Sequence, residues 1–81
     1  MITVLVHVAN AESVKLDMDE LPAAGDALII GKNPRERNDK EVTWIEEGVT
    51  TIMFPTWRVT LIEVLPREEE EEEFPLPFRN D

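Results

Sequence analysis

Few residues in this chain have the means for chemistry. Among its 81 residues there is one histidine and no cysteine. His7 stands in the apolar run from Ile2 to Ala9. A general base needs a partner within hydrogen-bond reach, and no neighbour in the run supplies one. Asp17 and Asp19 fall on the same side of an extended chain, about 7 Å apart by strand geometry, a spacing that suits paired carboxylates. They share that side with Lys15, however, and alternate with Val14, Leu16 and Met18, so they read as a solvated face. Ser13, Thr50, Thr51 and Thr60 have no identifiable base, and neither a glycine-rich phosphate loop nor a metal-ligand spacing occurs. No catalytic, cofactor-binding or metal-binding residue is assigned, no cofactor is expected, and the chain reads as non-enzymatic.

A second chemistry is suggested by Lys32, Arg35, Arg37 and Lys40, four of the six basic residues that precede Pro66. Aromatic side chains beside such cations stack bases while the cations hold phosphates, which makes Trp57 and Arg58, with these four, an alternative single-stranded RNA contact. Two features weigh against it. The formal net charge is −10, and phosphate binding depends on positive charge. Trp44 and Trp57 are also flanked by strand-forming residues, which predicts that both sit in the core and that Lys32–Lys40 is merely a charged loop. Nucleic acid is therefore disfavoured as a partner but kept as the alternative.

The charge is uneven. Residues 66–81 hold two arginines against seven acids, half of the whole excess in a fifth of the length. Glu68–Glu73 is an unbroken run of like charges, which favours an extended, solvated chain able to modulate binding at the basic loop. Phe74-Pro75-Leu76-Pro77-Phe78 follows, biased by its prolines towards polyproline II. Three large apolar residues are unusual in a purely solvating tail, and point to docking on the chain's own domain, on a second copy or on another protein.

The elements that must position these residues are strands. Val49–Leu65 is the densest β-branched and aromatic stretch, interrupted by Phe54-Pro55-Thr56-Trp57. Pro55 cannot donate to a ladder, so two strands joined by a proline corner or one 3₁₀ turn are expected to zip together and form the interior. Ile2–Ala9 and Ser13–Asp19 read as a hairpin, with Ile2, Val4, Val6 and Val8 on one face of the first strand and Val14, Leu16 and Met18 inward on the second. Asn10 and Gly25 suit turns, and Gly48 suits a tight hairpin. Ala27–Ile30 is a short run apolar on both faces, Gly31–Lys40 a polar loop, and Glu41–Ile45 a fourth strand. In the last strand, Val59, Leu61 and Leu65 share one face, and Ile62 and Val64 the other.

Five or six short antiparallel strands over residues 1–65 make an all-β small barrel or strongly curled sheet, with 66–81 a flexible acidic tail. The meander with a one-turn 3₁₀ helix before its last strand, and the Leu21-Pro22-Ala23-Ala24-Gly25-Asp26 lead-in to Ala27, resemble the SH3-like small barrels, including the Sm-like group. That resemblance implies the fold and carries over no functional residue, since the Sm group's glycine before the final strand is replaced here by Arg58-Val59.

Size points the same way. A domain this small buries only about 60% of its unfolded surface, and pairing two chains would relieve the shortage of core. A homo-oligomer, a dimer first, or another protein partner is expected, with Ile62, Val64, Phe74, Leu76 and Phe78 as the apolar anchors. No apolar run approaches the roughly 20 residues of a membrane helix and no basic region precedes the N-terminal apolar run, so no membrane partner and a cytoplasmic location are expected.

Overall fold

In the computed structural model, residues 1–66 are described. They form five antiparallel strands in one sheet: β1 (Ile2–Val8), β2 (Val14–Met18), β3 (Leu28–Arg35), β4 (Thr51–Pro55) and β5 (Val59–Val64), in the order β4-β3-β2-β1-β5. Among the described residues the one helical turn is 3₁₀, Thr56–Arg58. The all-β, curled antiparallel class read from the sequence is the one that forms. Among the described residues, no helix is long and apolar enough to cross a membrane.

The sheet has to curl. β4 and β5 are its opposite edges, yet only Thr56–Arg58 joins them. Four strand spacings in a flat sheet amount to roughly 19 Å, whereas the four steps from Pro55 to Val59 reach at most about 14 Å. Backbone bonds pin both ends of the connection: Thr56 N–H donates to Ala27 O at 2.9 Å, and Ala9 N–H to Arg58 O at 2.8 Å. The edges meet at this corner without pairing along their length, so the sheet is not closed.

Two irregularities supply the bend. Between β2 and β3 the register runs from Lys15↔Arg35 to Asp17↔Lys32, two residues of β3, Asn33 and Pro34, opposite one of β2, Leu16. Asn33 absorbs the extra residue in the left-handed region at φ 55°, and Pro34 fits beside it because a bulge leaves a donor unpaired. Between β1 and β5 the register moves from His7↔Leu61 to Val8↔Val59. That shift turns Val59 to the inner side, where it and Ile62 pack against the core, instead of leaving it on the side of Leu61.

The core is made by the first hairpin. Val4, Val6, Val14 and Leu16 are fully buried, joined by Val8, Met18, Ile29, Val42 and Phe54. The expected pairing of the two segments around Pro55 does not occur: β4 pairs with β3 and β5 with β1. The tryptophans expected in the core are outside, Trp44 45% and Trp57 80% exposed. The expected strand Glu41–Ile45 is instead extended chain and turns, in which Val42 and Ile45 turn in against the core. In its place β3 is longer than expected and takes Lys32–Arg35 out of the polar loop. Asn10, Gly25 and Gly48 all adopt positive φ, as their turns require, although the Gly48 turn does not join two paired strands.

Candidate interaction surface

The outer face of the sheet divides into two halves. Over β1, β2 and the C-terminal part of β3 it is charged. Asp17 accepts hydrogen bonds from Thr3 Oγ1 at 3.0 Å, Arg35 Nη2 at 3.0 Å and Asn33 Nδ2 at 3.1 Å. Asp39 lies 2.8 Å from Lys15 Nζ and 3.5 Å from Arg35 Nε. His7 Nε2 meets Glu63 Oε1 at 2.8 Å. Leu5, directly opposite Lys15 on one side and Glu63 on the other, is only 5% exposed, as expected where long polar side chains lay their stems over an apolar neighbour. Partial burial on its own would raise the Asp17 pKa, but the hydrogen bonds from Arg35, Asn33 and Thr3 and the charge of Arg35 outweigh it and hold the carboxyl below its usual value. The hydrogen bond and charge of Lys15, then those of Arg35, likewise lower Asp39.

The other half, over the N-terminal part of β3 and β4, is apolar and open. Ile30 and Met53 are directly opposed across the ladder, and Leu28 and Pro55 form the next pair on the same face. Leu28, Ile30 and Met53 are 47%, 52% and 60% exposed, while the alternate residues Ile29 and Phe54 are buried. β4 is an edge strand. Asn33 N–H donates to Thr50 O and Thr56 N–H to Ala27 O, so by alternation Thr50, Phe54 and Thr56 direct their backbone groups to β3. Thr51, Met53 and Pro55 direct theirs outward. The open edge thus presents the N–H and C=O of Thr51 and Met53 and the C=O of Pro55.

The residues singled out from the sequence are dispersed. Val64 is 53% exposed, whereas Ile62 is half-buried on the core side, opposite Val6. Phe74, Leu76 and Phe78 lie outside the described residues. Of the basic set, Arg35 is held by Asp17 and Asp39, and Lys32 Nζ lies 3.8 Å from Asp19. Arg37 lines a shallow depression with Glu12, Ser13 and Glu36, and Lys40 sits in the exposed turn, where Glu36 N–H donates to its C=O at 2.8 Å. At the 3₁₀ corner the Arg58 guanidinium lies 5.7 Å from the Trp57 ring centroid and donates to Ala9 O at 3.1 Å. Asp17 and Asp19 do not form an open carboxylate pair, since Asp17 is engaged on three sides.

Leu28, Ile30 and Met53 were not singled out. Their signal was the Ala27–Ile30 run, apolar on both faces in a chain too small to cover both. Among the described residues, no group of three or more histidine or acidic side chains is placed to hold a metal ion. The chain matches no family model, no curated protein and no solved structure.

Proposed function

We propose that this is a non-enzymatic protein-interaction module, cytoplasmic, that self-associates through the free edge and outer face of β4. The observation that carries the reading is the opposed pair Ile30 and Met53, both more than half exposed beside an unpaired strand edge. Exposed apolar edges are templates for strand pairing, and edge addition is a common recognition mode. The edge is self-complementary under a two-fold axis through Met53. Met53 of each copy exchanges N–H···O bonds with Met53 of the other, and Thr51 N–H of each meets Pro55 C=O of the other. The two Ile30–Met53 pairs then join into one apolar face. The strand order and the 3₁₀ corner support reading the domain as one of the SH3-like small barrels. Sedimentation velocity over a concentration series tests the proposal: the full chain dimerises, and Met53→Arg shifts it to monomer. A chain that stays monomeric at high concentration overturns it.

One observation favours RNA binding as a second reading: Trp57 is 80% exposed with Arg58 beside its ring, an arrangement suited to stacking a base. Against it, Arg35 and Lys32 already face Asp17, Asp39 and Asp19. Quenching of Trp57 emission by a single-stranded oligonucleotide at low salt, weakened by Arg37→Ala, is the outcome this reading requires. Unchanged emission removes it.

A further inference from the structure

A strip of exposed apolar side chains starts where the described chain ends. Leu65 N–H donates to Thr3 O at 2.9 Å, which seats the end of β5 beside the start of β1. There Met1, Leu21, Val64 and Leu65 line a depression. A second depression, on the far side of Leu21, is lined by Leu21, Pro22, Leu28 and Ile30. Leu21 belongs to both, so the two depressions adjoin across it and together make a stepped groove from the chain exit, where Thr3 and Asp19 also line it, to Leu28 and Ile30 of β3. Its apolar walls are open: Met1, Leu21 and Val64 are 63%, 47% and 53% exposed. Clustered exposed apolar side chains rimmed by polar ones mark a surface that takes an occupant.

We infer that the occupant is this chain's own Phe74–Phe78 segment, folded back in cis. Three observations commit the groove to it rather than to a separate protein. The first is where the chain leaves: Pro66 follows Leu65 at the mouth of the groove. The second is length. Eight residues from Pro66 to Phe74 span at most about 26–29 Å, and the like charges of Glu68–Glu73 favour an extended path. From β5, where the chain leaves, to β3 is three strand spacings, roughly 14 Å, so Phe74 reaches Leu21 with slack and the segment reaches Leu28 and Ile30. The third is charge. Phe74-Pro75-Leu76-Pro77-Phe78 is uncharged, and Arg79 follows it, while the far part of the groove is rimmed by Glu20 and Asp26. The segment therefore brings apolar side chains to apolar walls and a cation to an acidic rim. The glutamates carry the sign of that rim, which leaves them the spacer and not the docked part. Proline fixes much of the backbone before docking, which reduces the ordering entropy.

The groove lies at the Leu21 side of β3 and the pairing edge lies beyond β4, and the two share only the border residue Ile30. The test uses the full chain. It has no cysteine, so a single Asn80→Cys substitution carries a nitroxide at one site. In an isotopically labelled sample, the methyl resonances of Leu21, Leu28 and Ile30 lose most of their intensity, while those of Val42 and Ile45 keep theirs. Adding Phe74→Ser and Phe78→Ser to the same spin-labelled chain restores the groove resonances. A second sample mixes spin-labelled, isotope-free chains with isotope-labelled, nitroxide-free ones, and shows no loss at the groove. Loss in the mixed sample as well assigns the groove to another copy's tail and overturns docking in cis. Groove intensities that match those of Val42 and Ile45 overturn it altogether. Sedimentation of the Phe74→Ser, Phe78→Ser chain separates the two proposals: dimerisation through β4 rests on the Met53 edge and is expected to persist in that chain, whereas the attenuation at the groove disappears.

Discussion

Leu16 packs directly on Gly31: a β-carbon at position 31 would stand 2.8 Å from both Cβ and Cδ1 of Leu16. Leu16 is fully buried and has nowhere to move, so this contact sets how closely β3 crosses β2 and with it the curl of the sheet. Gly31→Ala is expected to destabilise the domain by about 1–3 kcal/mol through overpacking, read from urea denaturation. An unchanged midpoint would mean that the strands are not so close.

Val42 and Trp44 make a paired test of what fills the interior. Val42 is 5% exposed and Trp44 45%, although tryptophan is by far the larger. Val42→Ala is expected to cost about 2 kcal/mol, from two buried carbons and the space they leave. Trp44→Ala is expected to cost less. The reverse order in thermal or chemical melts would contradict the placement of the 41–45 segment.

Asp17 links stability to acid. Its folded pKa lies below the usual 3.8, so the folded state binds the proton less readily than the unfolded chain. The stability it contributes is therefore complete above about pH 4 and is lost as pH falls through the depressed folded value. Its side chain is 17% exposed, so solvent screening is modest. Asp17→Asn is expected to lower neutral-pH stability by about 1 kcal/mol and to flatten the decline below pH 4. An acid limb as steep as that of the unmodified chain would assign the decline to other carboxylates.

Salt separates the two kinds of outer-face surface. Each copy carries a formal charge of −10, and the proposed β4 contact contributes apolar groups and backbone bonds. Raising salt from a low level screens the repulsion between copies and is expected to tighten the dimer. The RNA reading demands the opposite sign, since phosphate contacts weaken with salt. Sedimentation equilibrium and oligonucleotide titration across the same salt series distinguish them.

Met53 tests the register of β4. Its N–H points to the open edge, so Met53→Pro is expected to leave the β3–β4 ladder and the monomer fold in place while abolishing dimerisation. The two readouts are the far-ultraviolet circular dichroism spectrum and the sedimentation coefficient. Loss of the sheet signal would place that N–H in the ladder instead.

Alternation along a strand is a local property, and it alone determined β1, β2 and their hairpin: the valines at period two have one face to bury, and Asn10 tolerates the turn. The proline corner, the turn glycines and the antiparallel all-β class were legible for the same reason. Only the tertiary structure decided which strands are neighbours. Val59 and Ile62 turn to one side because a bulge opposite His7 shifts the register, and no local pattern announces a bulge. The propensity of Glu41–Ile45 for strand was overridden because the space over the core takes Val42 and Ile45 while Trp44 stays outside. Asp17 and Arg35, 18 residues apart, become partners only once β3 lies beside β2. The open face of Leu28, Ile30 and Met53 has the same origin: hydrophobicity says that a residue gains by burial, but the curl of the sheet decides which side has anything to bury it against.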